Sequence, residues 1–220
     1  LTALIDSIGF GIILPVTPNL FMEITGEGLA ASAVYGGWLM FAFAIMQFFF
    51  APVLGNLSDA YGRKPVLMAS LVMLCFNYLI MGFAQTLTLL FIGRIISGIG
   101  SATFSTCNAY IADTTPPDER AQYFGMMGAA FGLGFVIGPA VGGFLGEYGN
   151  RVPFFATAGL IFANLIMGFV FLPESLEKEN RRTFEIARAN PFSALMQMRR
   201  FKIVFGILGV MFLYNLGHHV

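Results

Sequence analysis

The stretch GNLSDAYGRKP, residues 55–65, is a short charged segment set between two long apolar runs. Residues 33–54 before it carry no charge, and neither do residues 66–90 after it, where Asn77 is the notable polar interruption. Asp59, Arg63 and Lys64 therefore fall where two hydrophobic helices must reverse direction. Gly55 and Gly62 suit the tight or left-handed backbone of a turn. Pro65 suits the first turn of the next helix, and Asp59 suits a cap or an ion pair. The stretch is thus expected to be a charged hairpin at one face of a bilayer. It reads either as a solvated, well-capped loop or as a conformational switch.

Composition extends the membrane reading to the whole chain. The 220 residues are 57% apolar and 11% charged, whereas soluble domains carry about 25% charge. Twelve basic and twelve acidic residues cancel, so bulk charge names no partner, and no segment has the pattern of a nucleic-acid arm. Cys75 and Cys107 lie within apolar runs and are expected to be free thiols. The chain begins without Met and starts and ends inside apolar runs. It is therefore expected to be a fragment of a longer protein.

A spanning helix needs about 20 mostly apolar residues. Six such spans are predicted, at residues 1–21, 34–54, 66–84, 87–112, 121–145 and 152–172, with a seventh beginning at 203–220. The fold class is accordingly an all-α membrane protein. Residues 1–172 form an N-terminal six-helix bundle, 173–202 a linker between two halves, and 203–220 the start of a seventh helix. Ten Lys and Arg residues lie on one side of these spans, and Arg151 alone on the other. The positive-inside rule makes the first side cytoplasmic, together with the N-terminus and the Asp59 hairpin. Within the linker, an amphipathic helix is expected at about 184–198, lying on the membrane surface.

Several side chains invite a functional reading. Asp6 lies in an apolar span, where a carboxylate is costly and usually marks an ion or proton pathway. Its bland alternative is a structural acid paired with a neighbouring helix. Burial and a nearby cation act in opposite directions on a carboxyl group, and an acid so balanced can load and release a proton. Arg94 is the natural counter-charge, with snorkelling to the interface as its alternative. The two are expected to face one cavity without touching. Asp113 ends the fourth span on the side of Arg63 and could pair with it. Such an exposed pair is worth about 0–1 kcal/mol. Gly134, Gly138 and Gly142 recur at intervals of four and line one helix face, with Gly128 and Gly132 repeating the spacing. Pro139 is expected to kink that helix. The face reads as static packing, or as a hinge sealed against a helix of the other half. Asn19, Gln47, Asn77, Asn108 and Asn215 are candidate cavity residues, as is His218, although most intramembrane amides join helices. Asn164 belongs with them as an intramembrane amide. Trp38 is expected to anchor at the outer interface. No ligand spacing for a metal is present, and no nucleophile set.

Four of these patterns together resemble one family. Gly55-x-Leu57-x-Asp59-x-x-Gly62-Arg63-Lys64 resembles the signature between the second and third helices of the major facilitator superfamily. Asp6-x-x-Gly9-x-Gly11-x-x-x-Pro15-x-x-Pro18 is similar to the first-helix pattern of its drug exporters. Arg94-x-x-x-Gly98-x-Gly100 resembles the fourth-helix arginine motif, and Gly134-x-x-x-Gly138-Pro139-x-x-Gly142-Gly143 the fifth-helix motif of antiporters. The segment from Asp113 to Arg120 resembles the loop between helices 4 and 5. The patterns fall in order along nearly the whole chain, and the nearest likeness is to the tetracycline and multidrug proton antiporters. The resemblance implies a major facilitator fold of twelve helices in the complete protein, in the plasma (inner) membrane. It implies proton coupling through Asp6 and Arg94, and a cytoplasmic gate of Gly55, Asp59, Gly62, Arg63, Lys64, Asp113 and Arg120. It also implies an antiporter hinge at Gly134, Gly138, Pro139, Gly142 and Gly143. Position 60 is Ala where the family hairpin often has a base, and Asn77 stands where some tetracycline exporters carry an acid. Tetracycline is therefore not implied as the substrate.

The expected function is proton-coupled efflux of a drug-like or amphipathic molecule by alternating access. The partners are a small-molecule substrate, protons and the bilayer, with no nucleic acid and no cofactor; the protein is expected to be a monomer. A sugar or metabolite symporter of the same fold is a second reading, disfavoured by the Gly138-Pro139 pattern. A non-transporting membrane sensor is a third, disfavoured by the lack of a soluble signalling domain in the sequence.

Overall fold

A computed structural model describes residues 1–185, 189–192, 206, 209 and 210. The described residues form helices and no strands. The helices are α1 (Thr2–Ile13), α2 (Thr17–Thr25), α3 (Leu29–Tyr61), α4 (Arg63–Phe83), α5 (Leu87–Ile99), α6 (Thr103–Thr114), α7 (Arg120–Gly146) and α8 (Val152–Phe171). A short 3-10 turn follows at Lys178–Asn180.

Five stretches are long and apolar enough to cross a membrane: α3, α4, Leu87–Thr114, α7 and α8. A sixth is the α1–α2 pair, bent by 44°. Counted with the bent pair as one span, the helices make six, with two breaks that hydropathy does not reveal. The predicted 1–21 span breaks at residues 14–16, next to Pro15. Proline lacks the N–H needed to continue a helix without interruption. The predicted 87–112 span breaks at residues 100–102, where Gly100 (φ −82°, ψ 1°) leaves helical geometry and Ala102 caps the start of α6.

The expected hairpin at residues 55–65 is instead almost entirely helix. α3 has 33 residues, a length of about 50 Å against a hydrocarbon core of about 30 Å. Its last turns, including Gly55 and Asp59, therefore extend past the apolar layer as helix. The reversal is confined to Gly62 at φ +111°, after which Arg63 opens α4. Of the two glycines proposed for the turn, only Gly62 needs glycine's freedom.

α1 packs against α7 and α8, α4 against α5 and α8, and α3 against α5. Their shared interior holds Ile13, Leu20, Phe21, Leu39, Leu71, Met81, Leu90, Phe154 and Ile161. Large apolar side chains also cover the outside, Trp38 at 58% exposure among them. A helix bundle solvated by lipid can present such a surface. The chain is an integral membrane protein. Cys75 and Cys107 are both free. Of the expected amphipathic segment, Phe184 and Glu185 are not helical, whereas Ala189, Pro191 and Phe192 are. Most of that segment, and nearly all of 203–220, falls outside the described residues.

Candidate functional site

Helices α1, α3, α4, α5, α6 and α7 line an open cavity of about 190 Å³. Asp6 reaches it from α1, Gln47 and Phe43 from α3, Asn77 and Tyr78 from α4, and Arg94 from α5. Asp6 and Arg94 share this space without an ion pair between them; the three pairs among the described residues all lie elsewhere. Arg94 is 7% exposed and Asn77 1%. Snorkelling of Arg94 to an interface does not occur.

The lining is unusual in its unpartnered polar atoms. Arg94 Nε, Asn77 Oδ1 and Thr103 Oγ1 are buried without a hydrogen-bond partner, and all three residues line the cavity. A buried polar group left unpaired costs roughly 1–3 kcal/mol, so such a cluster needs a reason. Phe10, Phe104 and Phe131 supply an aromatic wall, with Phe131 against both Phe104 and Phe135 at ring separations of 5.5 and 4.9 Å.

The candidate cavity residues divide. Gln47 and Asn77 line it. Asn19 is exposed on α2, and half-buried Asn108 on α6 does not line it. Asn164 is buried on α8 and donates to the Thr2 carbonyl at 3.2 Å, joining helices instead. Asn215 and His218 lie outside the described residues. Ser97, Ser101 and Thr103 line the cavity but escape a sequence search. Arg94, Ser97 and Ser101 recur at i, i+3, i+7, a signal of one helix face. Thr103 has no such signal, because the helix break sets its direction.

At the end of the bundle bearing Arg63, one guanidinium bridges two acids. Arg63 Nη1 donates to Asp59 Oδ1 and Nε to Asp113 Oδ2, the latter at 2.8 Å. Ser58 Oγ accepts a further bond from Nη1 at 3.0 Å. Lys64 Nζ donates to the Phe169 carbonyl at 2.9 Å, and its ammonium lies 5.5 Å from the Phe169 ring centre. Arg120 donates to the carbonyls of Ala112 and Thr115 at 2.8 and 3.1 Å, closing the end of α6. Glu174, which the sequence does not single out, accepts from the backbone N–H groups of Arg63 and Lys64 at 2.8 and 3.3 Å.

The glycine face of α7 has a different partner from the one expected. A Cβ on Gly138 would fall 2.6 Å from Gly11 Cα, and one on Gly134 or Gly142 would strike the backbone of α1 at Ile8 or Ile12. The face is pressed against the first helix of the same bundle, not against a helix of another half. Gly128 and Gly132 do not continue it: nothing lies within 4 Å of a Cβ at either, nor at Gly143. Two residues of offset, from 132 to 134, turn the helix by about 200° and onto the other side. Pro139 sits inside a helix that runs unbroken from Arg120 to Gly146.

The sequence matches the Major Facilitator Superfamily over residues 1–217. The chain belongs to that superfamily. Within it, the likeness is to the tetracycline and multidrug resistance branch. The chain is 41% identical to the class C tetracycline resistance protein of Escherichia coli, over 98% of this chain and 54% of that protein. It is 43% identical to the class H protein of Pasteurella multocida, over 81% and 44%. Multidrug resistance protein 1 of Bacillus subtilis is 33% identical, over 80% and 46%. This superfamily member thus spans about half the length of the relatives it matches. Among solved structures, a human organic anion transporter shares its fold with a TM-score of 0.75 at 24% identity, covering 88% of this chain and 52% of the other.

Proposed function

We propose that this chain is the N-terminal half of a secondary active exporter, one that expels a drug-like, amphipathic small molecule in exchange for protons. The observation that carries the reading is the placement of Asp6 and Arg94. They are opposite charges from different helices lining one cavity, in a chain whose relatives are named for tetracycline and multidrug resistance. In this reading residues 1–172 are one bundle of an alternating-access pair, residues 173–202 the linker, and 203–220 the start of the next half. Substrate binds near the midplane between the halves. Protonation of Asp6 changes the charge of the cavity and so favours release of substrate outward. The Asp59–Arg63–Asp113 cluster acts as the cytoplasmic gate, a set of partly buried ion pairs that biases the choice between conformers. The protein works as a monomer in the inner membrane with its N-terminus in the cytoplasm. It needs no cofactor beyond the proton gradient.

The test uses inside-out vesicles holding an acid interior. A drug to which expression confers resistance is added, and the pH gradient is followed by a fluorescent dye. The drug is expected to dissipate the gradient with the native protein, and to have no effect with Asp6→Asn. Full proton coupling in Asp6→Asn overturns the assignment.

A further inference from the structure

The fourth span is not continuous. α5 ends at Ile99 and α6, twelve residues long, starts at Thr103. A helix leaves its first N–H groups without intrahelical acceptors, and these carry the positive end of the helix dipole. In α6 the Thr106 N–H is bonded to the Ala102 carbonyl at 2.8 Å. The donors of Thr103, Phe104 and Ser105 precede it, at the helix start. Ser101, Thr103 and Phe104, the residues around this start, line the cavity.

Two independent features point the same way. Arg94, one turn before the end of α5, is 7% exposed, and its Nε is unpartnered. Thr103 is 3% exposed, and its hydroxyl is unpartnered. The hydroxyls of Ser97 and Ser101 are committed to the carbonyls of Arg94 and Gly98, at 3.0 and 2.7 Å. Of the unpartnered atoms in the lining, Asn77 Oδ1 accepts, whereas Arg94 Nε and Thr103 Oγ1 can donate; at the break these two donors stand with the helix-start amides. A buried guanidinium and a hydroxyl donor lining one cavity at a helix start fit an anionic oxygen group. Phe104, the residue after Thr103, packs on Phe131 and sets an aromatic surface beside these donors.

We propose that the α5–α6 break, with Arg94 and Thr103, is an oxyanion subsite that holds the carboxylate of an aromatic transported molecule. Asp6 lines the same cavity and forms its opposite pole. The subsite therefore takes the anionic end of a molecule whose cationic end is held by Asp6. The proposal rests on the reading that this cavity holds the transported molecule.

Binding to the purified protein in lipid nanodiscs tests it. The probes are 6-aminomethyl-2-naphthoate and the matching carboxamide, which differ only in the anionic group. The carboxylate is expected to bind about tenfold more tightly than the amide, as a charge-assisted bond to arginine allows. Arg94→Gln abolishes this preference, and Arg94→Lys retains part of it. Thr103→Val replaces the hydroxyl with a methyl group and weakens carboxylate binding about fivefold, more than it weakens amide binding. Equal binding of the two probes by the native protein overturns the subsite. If Arg94→Gln fails to fold, an undiminished preference in Thr103→Val overturns it as well. Equilibrium binding needs neither gradient nor turnover. Failure here leaves the exporter reading standing, and failure of the vesicle assay leaves the subsite standing.

Discussion

Glu174 follows Pro173, just after the last apolar helix has ended, yet its carboxylate caps a helix more than a hundred residues earlier. It accepts the Arg63 N–H at 2.8 Å and the Lys64 N–H at 3.3 Å, and also the N–H groups of Ser175 and Leu176 at 3.0 and 3.1 Å. The first two are donors that α4 cannot satisfy itself, and a negative charge there also meets the positive end of the helix dipole. Gly62 permits this approach, because a side chain at that position would collide with the Glu174 carboxylate. Glu174→Ala is expected to destabilise the protein by about 1 kcal/mol, the usual worth of a helix cap. Glu174→Gln is expected to fall between it and the native protein. Thermal unfolding of the purified protein checks both. Asp59, Arg63 and Asp113 were legible in the sequence, because charges in an apolar chain stand out and their spacing matches a family pattern. Glu174 was not, because nothing local marks a glutamate in a polar linker as the cap of a distant helix.

α7 shows at the level of one element how a pattern can be read correctly and its partner missed. The spacing of Gly134, Gly138 and Gly142 identifies a face made for close approach. Gly11 on α1 completes it, since a Cβ there would lie 2.9 Å from both the Gly134 carbonyl oxygen and Gly138 Cα. The two backbones meet with no room for a methyl group. Gly138→Ala is expected to cost about 3 kcal/mol or more, at the upper end of overpacking penalties, because backbone cannot rotate aside as a side chain can. Gly159→Ala on α8 is the contrast. Nothing lies within 4 Å of a Cβ there, and alanine's better helix propensity is expected to leave stability unchanged or raised by up to about 1 kcal/mol. Yield of folded protein and melting temperature in detergent distinguish the two. A comparable loss at both positions would show that the α1–α7 contact is not the tight one.

Across the whole molecule, polar clasps close the bundle at both ends. Opposite the Arg63 cluster, Arg151 pairs with Glu23 at 3.1 Å and donates to the Gly82 carbonyl at 3.1 Å, while Asn150 donates to Glu23 at 3.0 Å. The lone base of the predicted outer side thus ties α2, α4 and the start of α8. The charge asymmetry between the two ends leads to a topology that can be tested in cells. In a Cys75→Ser, Cys107→Ser background, Glu27→Cys is expected to react with a membrane-impermeant maleimide added outside. Asp118→Cys is expected to react only after permeabilisation. The reverse pattern would invert the orientation.

The sequence by itself determined that the chain is a bundle of apolar helices able to cross a membrane, which ends carry the basic charge, and which family it resembles. Hydropathy, charge and motif spacing are local properties, and each is complete within a few turns of helix. The tertiary structure alone decided that the charged hairpin is helix up to Gly62 and that two spans are broken. It also decided that the glycine face meets α1, that Glu174 caps α4, and that Asp6, Asn77, Arg94 and Thr103 meet in one cavity. These depend on helices far apart in the chain, and on where a break in one of them turns its first unpaired donors.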